Sequence, residues 1–317
     1  MDFDKINIKK DPVIIFMGTP EFSVPILEGL VKNYKVKMVI TQPDKPVGRK
    51  GIIKPTPVKE FARNNNILCI QPTKISDALG EISALEPDLI ITCAYGQILP
   101  LDLLVIPRLG CINVHASLLP KLRGGAPIHR AIMNGYKKTG VTIMYMAETM
   151  DSGDIISSKE VEITDDDTAS TLHNKLQIIG RNLLLETLPS VLNETNTRTC
   201  QKEEDATYGF NITREDEKIN FEDTKRNIVN KIRGLNSFPG AYCLYDGKVL
   251  KVWNAYKTNN VFDNVLVGSV TGIYNDGFGV KVSNGEVVFT QVQLEGKKKV
   301  NAKDFISGHN LVGKVLK

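Results

Sequence analysis

The run from Asp88 to Ala94, D-L-I-I-T-C-A, is apolar without alternation and stops at Tyr95-Gly96. A stretch of that length lacking a polar face suits a central strand buried on both sides, and such strands belong to parallel sheets covered by helices. Its neighbours agree. Val13 to Met17, Val36 to Thr41, Gly110 to His115 and Val141 to Met146 are further strand candidates, with helical segments between several of them. That alternation predicts an α/β domain with a Rossmann-like parallel sheet from residue 13 to about residue 192. Ser23 is expected to cap the first helix, with Pro25 in its first turn. Thr168 to Leu192 closes the domain as a helix carrying Leu172, Leu176, Ile179, Leu183 and Leu184 on one stripe.

Beyond this the pattern changes. Residues 193–207 are polar throughout and read as a linker. After a helix from about Thr224 to Leu235 come short β runs separated by Asp246-Gly247, Asp276-Gly277 and Asn284-Gly285. Such pairs mark tight turns between strands, and several strands at this spacing predict a small antiparallel, OB-like β-barrel over 208–317. A chain of 317 residues suits two domains. Residues 1–12 stand apart as an N-terminal extension with neither an apolar signal core nor an Arg-rich face.

No apolar run approaches the roughly 18–20 residues a bilayer span needs, so no membrane partner is expected. Cys69, Cys93, Cys111, Cys200 and Cys243 form an odd set without C-x-x-C or His-paired spacing, which points to a reducing compartment and no metal. A cytoplasmic monomer is the expectation. The net charge of +4 is unevenly placed. Lys and Arg number 24 against 25 acids up to Ala206, and 16 against 11 from Thr207 on, so the back third is basic. A second concentration lies in the Pro- and Gly-punctuated loop from Gln42 to Thr56, where Arg49, Lys50 and Lys54 can meet phosphates.

Ligands of open parallel sheets bind beyond the carboxyl ends of the strands. Asn113 and His115, two apart at the exit of the Gly110 strand, share one side there. Asp151 follows the next strand candidate and is expected at the same rim, where a carboxylate would orient the imidazole. An amide donor, a proton carrier and an orienting carboxylate suit acyl transfer to an amine. Each residue alone also has an ordinary reading: a satisfied polar histidine, or an aspartate forming a turn before Ser-Gly. Ser117 lacks the G-x-S-x-G context of a nucleophile, and Gly18-Thr19-Pro20 is not the dinucleotide fingerprint. Gly124 and Gly125 would let backbone approach a ligand closely.

N-V-H-A-S-L-L-P-K-L-R-G-G-A-P-I-H, from Asn113 to His129, resembles the signature of the 10-formyltetrahydrofolate-dependent formyltransferases. So do M-G-T-P-E-F-S from Met17, Q-P-D-K-P-V-G-R from Gln42, A-Y-G-Q-I-L-P from Ala94, M-D-S-G-D-I from Met150 and S-F-P-G-A-Y from Ser237. The resemblance implies a formyltransferase domain over 13–192 with Asn113, His115 and Asp151 catalytic. It implies folate at Ser117, Leu118, Leu119 and Pro120, with Tyr95 and Gly96 beside them. It further implies initiator methionyl-tRNA as acceptor, met by Arg49, Lys50 and Lys54 and by the C-terminal barrel, with 10-formyltetrahydrofolate as formyl donor and no metal. Within the family an amino-sugar nucleotide is the alternative acceptor; outside it, a non-catalytic RNA-binding protein is the rival.

Overall fold

The computed structural model describes residues 11–47 and 51–317, so Arg49 and Lys50 lie outside the described residues. The first of two units takes in residues up to 127, 139–162 and 173–209. Its strands in chain order are β1 (Ile14–Gly18), β2 (Val36–Ile40), β3 (Lys45–Val47), β4 (Ile52–Lys54), β5 (Cys69–Ile70), β6 (Leu89–Cys93), β7 (Cys111–His115), β8 (Lys138–Tyr145) and β9 (Ile155–Glu162). Seven form one sheet in the order β5-β2-β1-β6-β7-β8-β9, and β3 pairs with β4 as a separate hairpin. The unalternating run is where it should be: β6 is buried along its whole length and pairs in parallel with β1 and with β7.

Not every strand of the sheet is parallel. β8 is antiparallel to β7, with His115 opposite Thr142 and Ile112 opposite Tyr145. The helix between them, Pro127–Met133, has seven residues and rises only about 10 Å, too little to carry the chain back to the far end of β7. The stripe of the long helix Ala169–Leu192 is buried at Leu172, Leu176, Leu183 and Leu184, with Ile179 only half-buried. Thr168 Oγ1 accepts from Thr171 N and caps this helix. Ser23 does not cap the first helix, Val24–Asn33; its hydroxyl donates instead to Cys93 O at 2.7 Å, tying that helix start to the end of β6. A donor that sits beside an interior strand carbonyl is spent there, because the buried carbonyl otherwise goes unpaired.

The stretch 193–207, expected as a linker, is held within this unit. Thr199 exchanges backbone hydrogen bonds with Ile155, and Thr207 O accepts from Arg123 N.

The second unit comprises 128–138, 163–172 and 210–317. Strands β10 (Ala241–Tyr245), β11 (Lys248–Lys257), β12 (Val270–Ile273), β13 (Phe278–Val282), β14 (Gly285–Leu294) and β15 (Val300–Asn301) form an antiparallel sheet in the order β10-β11-β14-β13-β12, with β15 on β14. Asp246-Gly247 is the tight turn between β10 and β11, both residues at positive φ. The β13–β14 turn is Ser283-Asn284, one residue earlier than Asn284-Gly285, since Gly285 already pairs with Val282. Asn284 Oδ1 there accepts from Lys225 N, at the start of the helix Lys225–Gly234. The edge strands β10 and β12 are bridged by the last residues of the chain: Lys317 exchanges backbone hydrogen bonds with Leu244, while Leu316 and Lys314 bond Gly268 and Val270. Phe278, Phe289, Val280, Leu250 and Ile232 fill the interior. No described helix is long and apolar enough to cross a membrane.

Candidate active site

β6 and β7 end side by side, and their register sets Thr92 opposite Asn113. Thr92, 2% exposed, donates its hydroxyl to Asn113 Oδ1 at 2.8 Å, and Ile112 O and Met146 Sδ lie farther from Thr92 Oγ1, each at 3.2 Å. The carbonyl end of the Asn113 amide is thereby occupied. Its NH2 end has no hydrogen-bond partner among the described residues and remains a donor.

His115 is 6% exposed on the same side of β7. Its Nε2 lies 3.1 Å from Leu122 O. A carbonyl oxygen only accepts, so Nε2 carries the hydrogen and Nδ1 presents its lone pair. Nδ1 faces Asp151 Oδ2 at 3.6 Å. Because β8 is antiparallel to β7, its end lies beside the start of β7, and Asp151 reaches His115 only through the loop between Tyr145 and Asp154, whose backbones rejoin by a 2.9 Å hydrogen bond. Asp151 sits at φ +50°, a left-handed conformation that aspartate tolerates better than most residues.

The first of the two glycines after Arg123 serves this carboxylate. Gly124 N donates to Asp151 Oδ2 at 2.8 Å, and at φ +113° a Cβ on Gly124 would meet Gly209 O at 3.1 Å. Two residues that the sequence did not single out stand behind Asp151. Gln201 Nε2 donates to the carbonyls of Asp151 (2.8 Å) and Gly153 (2.7 Å), and its Oε1 accepts from Arg123 Nε (3.1 Å) and Nη2 (3.0 Å). Arg123 is 0% exposed and places Nη1 on both carboxylate oxygens of Glu203.

The Ser117–Pro120 segment leaves β7 in a fixed course. Thr142 Oγ1 donates to Ser117 O and accepts from Leu119 N, and Ser117 Oγ donates to Lys121 O at 2.6 Å, so that hydroxyl is committed to structure. The Leu119–Pro120 bond is cis. Tyr95 is packed in the core with Ile15, Met17 and Met38, burial pushes its hydroxyl up to about 12, and its carbonyl accepts from Thr19 Oγ1 at 2.9 Å. Gly96 is exposed at φ +90°, and a Cβ there would come 4.0 Å from Gln42 Nε2, a donor shut from solvent with no partner among the described residues.

The base of the basic loop is pinned. Thr41 and Thr56 share a hydroxyl–hydroxyl bond, and hydrogen bonds from Lys59 and then Gln71 hold the Asp44 carboxyl below its usual range. Beyond it Lys45 pairs directly with Lys54, both exposed. Like charges opposite one another disfavour a hairpin. Among the described residues no cluster of three or more His, Cys, Asp or Glu could hold a metal.

Residues 11–188 match the family described as formyl transferase, and 211–310 match the formyl transferase C-terminal domain. The methionyl-tRNA formyltransferase of Macrococcus caseolyticus is 49% identical over 297 residues, covering 93% of this chain and 95% of that protein. That of Bacillus subtilis is 47% identical over 308 residues, covering 96% and 97%. Among solved structures, an N-formyltransferase from Helicobacter canadensis, in complex with folinic acid and dTDP-3-aminofucose, shares the fold with a TM-score of 0.67 at 21% identity, covering 88% of this chain and 98% of that one.

Proposed function

Since the chain belongs to the formyl transferase family, and within it to the methionyl-tRNA formyltransferases, we infer that it moves a formyl group from 10-formyltetrahydrofolate to the α-amino group of methionine on initiator tRNA. The observation that carries the catalytic assignment is the orientation of Asn113. Thr92 holds its oxygen, so the amide presents N–H groups at the end of β7, beside an imidazole whose free nitrogen faces a carboxylate.

The unprotonated amine attacks the formyl carbon, and the carbonyl electrons move to oxygen. Asn113 Nδ2 donates to that oxyanion, which is worth most in a site whose donors are fixed beforehand. His115 Nδ1 takes the proton from the attacking nitrogen, and Asp151 stabilises the imidazolium. The same proton passes to N10 of the folate as the carbon–N10 bond breaks. Ser117 to Pro120, with the backbone at Tyr95 and Gly96, line the donor's side. The buried Gln42 amide beside Gly96, unpartnered among the described residues, supports a polar ligand there.

The hairpin of β3 and β4, with Lys54 described and Arg49 and Lys50 outside the described residues, takes the phosphates of the acceptor arm. The Lys45–Lys54 pairing supports this, because a polyanion relieves a repulsion the protein leaves standing. The formyltransferase part is assigned to 13–192 and the tRNA-holding OB-like part to 208–317. Asn113, His115 and Asp151 come from one chain, which supports catalysis by a monomer. Five free thiols fit work in the cytoplasm.

The test is formyl transfer from 10-formyltetrahydrofolate with methionyl initiator tRNA, elongator methionyl-tRNA and an amino-sugar nucleotide in competition. Preferential formylation of the initiator is expected; formylation of the sugar alone would overturn the reading.

A further inference from the structure

We propose that Gln201, fixed by the buried guanidinium of Arg123, is a positioning residue that sets Asp151 against His115. The proposal rests on the catalytic reading of Asp151 and adds to it the device that holds this carboxylate in place.

Every polar group of the Gln201 side chain is used within this arrangement. Its two N–H groups go to the carbonyls of Asp151 and Gly153, and its oxygen takes two N–H groups of Arg123. Arginine has donors only, so it forces the amide to turn its oxygen inward and its NH2 toward the Asp151 turn. The guanidinium itself cannot swing. It is 0% exposed, Glu203 holds Nη1 with both oxygens, and the Arg123 backbone bonds Thr207 and Gly209.

The turn needs such a clamp. Asp151 is a non-glycine residue at φ +50°, in a loop that runs from the far end of β8 back to His115. Its carboxylate has one backbone donor, Gly124 N, and Gly124 follows Arg123 directly. One buried arginine therefore fixes both the backbone of Asp151, through Gln201, and the glycine that meets its carboxylate. The histidine contact of 3.6 Å is longer than a hydrogen bond, so small shifts of the turn set how well Asp151 serves the imidazolium.

Gln201→Glu tests this with little change of shape. A carboxylate pairs with Arg123 at least as well as the amide does, but it has no hydrogen for the Asp151 and Gly153 carbonyls. We expect kcat to fall about 10- to 100-fold, the range in which a misplacement near 1 Å is felt. KM for folate and tRNA should stay within about threefold, while the melting temperature falls modestly, because the Asp151 and Gly153 carbonyls lose their donor even though the Arg123 pairing is kept. Gln201→Met removes both functions without adding charge and should lower kcat as well.

The same substitutions are then made in an Asp151→Ala background, where they should change kcat by less than about twofold, since two residues acting through one group are not additive. An equal fall in that background, or unchanged kcat in the single variants, would overturn the proposal. If Asp151→Ala alone left kcat intact, the catalytic reading would fail, and the clamp would have nothing to position.

Discussion

Replacing Thr92 with valine exchanges one buried hydroxyl for a methyl group in the interior of β6. Valine has the same branched shape and suits a strand at least as well. What disappears is the 2.8 Å hydrogen bond that occupies Asn113 Oδ1. A buried neutral hydrogen bond contributes about 0.5–1.5 kcal/mol net, and this one decides which end of the amide faces the substrate. With the hydroxyl gone the flipped amide, which turns an oxygen toward the developing oxyanion, rises in population by up to roughly tenfold, since about 1.4 kcal/mol is a factor of ten. Because that factor multiplies the ratio of flipped to productive amide, about tenfold is the ceiling on the fall in kcat for formyl transfer and a fall of more than about twofold is expected, below the about 10²- to 10³-fold cost of losing an oxyanion donor outright. Thr92→Ser, which keeps the hydroxyl, should retain most of kcat. The assay is steady-state formylation of methionyl initiator tRNA at saturating folate, with KM for both substrates followed in parallel. A Thr92→Val enzyme within about twofold of the parent, or a serine variant equally impaired, would refute the idea that Thr92 sets the amide.

Other consequences reach beyond the reacting atoms. Glu286, 0% exposed in the second unit, would be raised by burial, but hydrogen bonds from Thr271, Tyr274, Thr258 and Asn260 prevail and hold its carboxyl below the usual range. Its contribution is therefore full above the ordinary value of 4.5 and is lost as pH falls through the lower folded value. Glu286→Gln should cost about 1–3 kcal/mol at neutral pH and flatten the acid limb of a melting-temperature profile; an unchanged limb would contradict it. Gly240→Ala should destabilise by about 1–3 kcal/mol, because its φ is +90° and a Cβ would lie 2.6 Å from the Trp253 ring, and urea titration checks this. Lys54→Ala should raise KM for the charged tRNA and lower the steepness of its salt dependence by about one phosphate contact, leaving folate KM alone; a salt-insensitive KM would exclude the phosphate role.

Much of this arrangement was legible in the sequence because it follows short-range rules. The two-residue period placed Asn113 and His115 on one side of β7, and Asp246-Gly247 sits between β10 and β11 as turn chemistry requires. Long-range polar pairing was not legible. Thr92 was visible as a polar residue inside an apolar run, yet nothing local says that its hydroxyl meets Asn113 across two strands. Gln201 lies in a polar stretch, where composition cannot separate side chains solvated by water from those hydrogen-bonded to the fold. Nothing beside Arg123 in K-L-R-G-G announces a buried guanidinium, whose partners Gln201 and Glu203 lie some 80 residues on. The reversal of β8 escaped for a related reason, since a strand's own residues do not encode its direction relative to a neighbour.

The most direct test of the catalytic claim is the single-turnover rate of Asn113→Ala. This side chain is half-buried and, among the described residues, its hydrogen bond is to Thr92, so the variant should fold and bind folate and methionyl initiator tRNA as the parent does. Its rate of formyl transfer is expected to drop by about 10² to 10³. A rate close to the parent's, with both substrates bound, would contradict the assignment of Asn113 as the oxyanion donor.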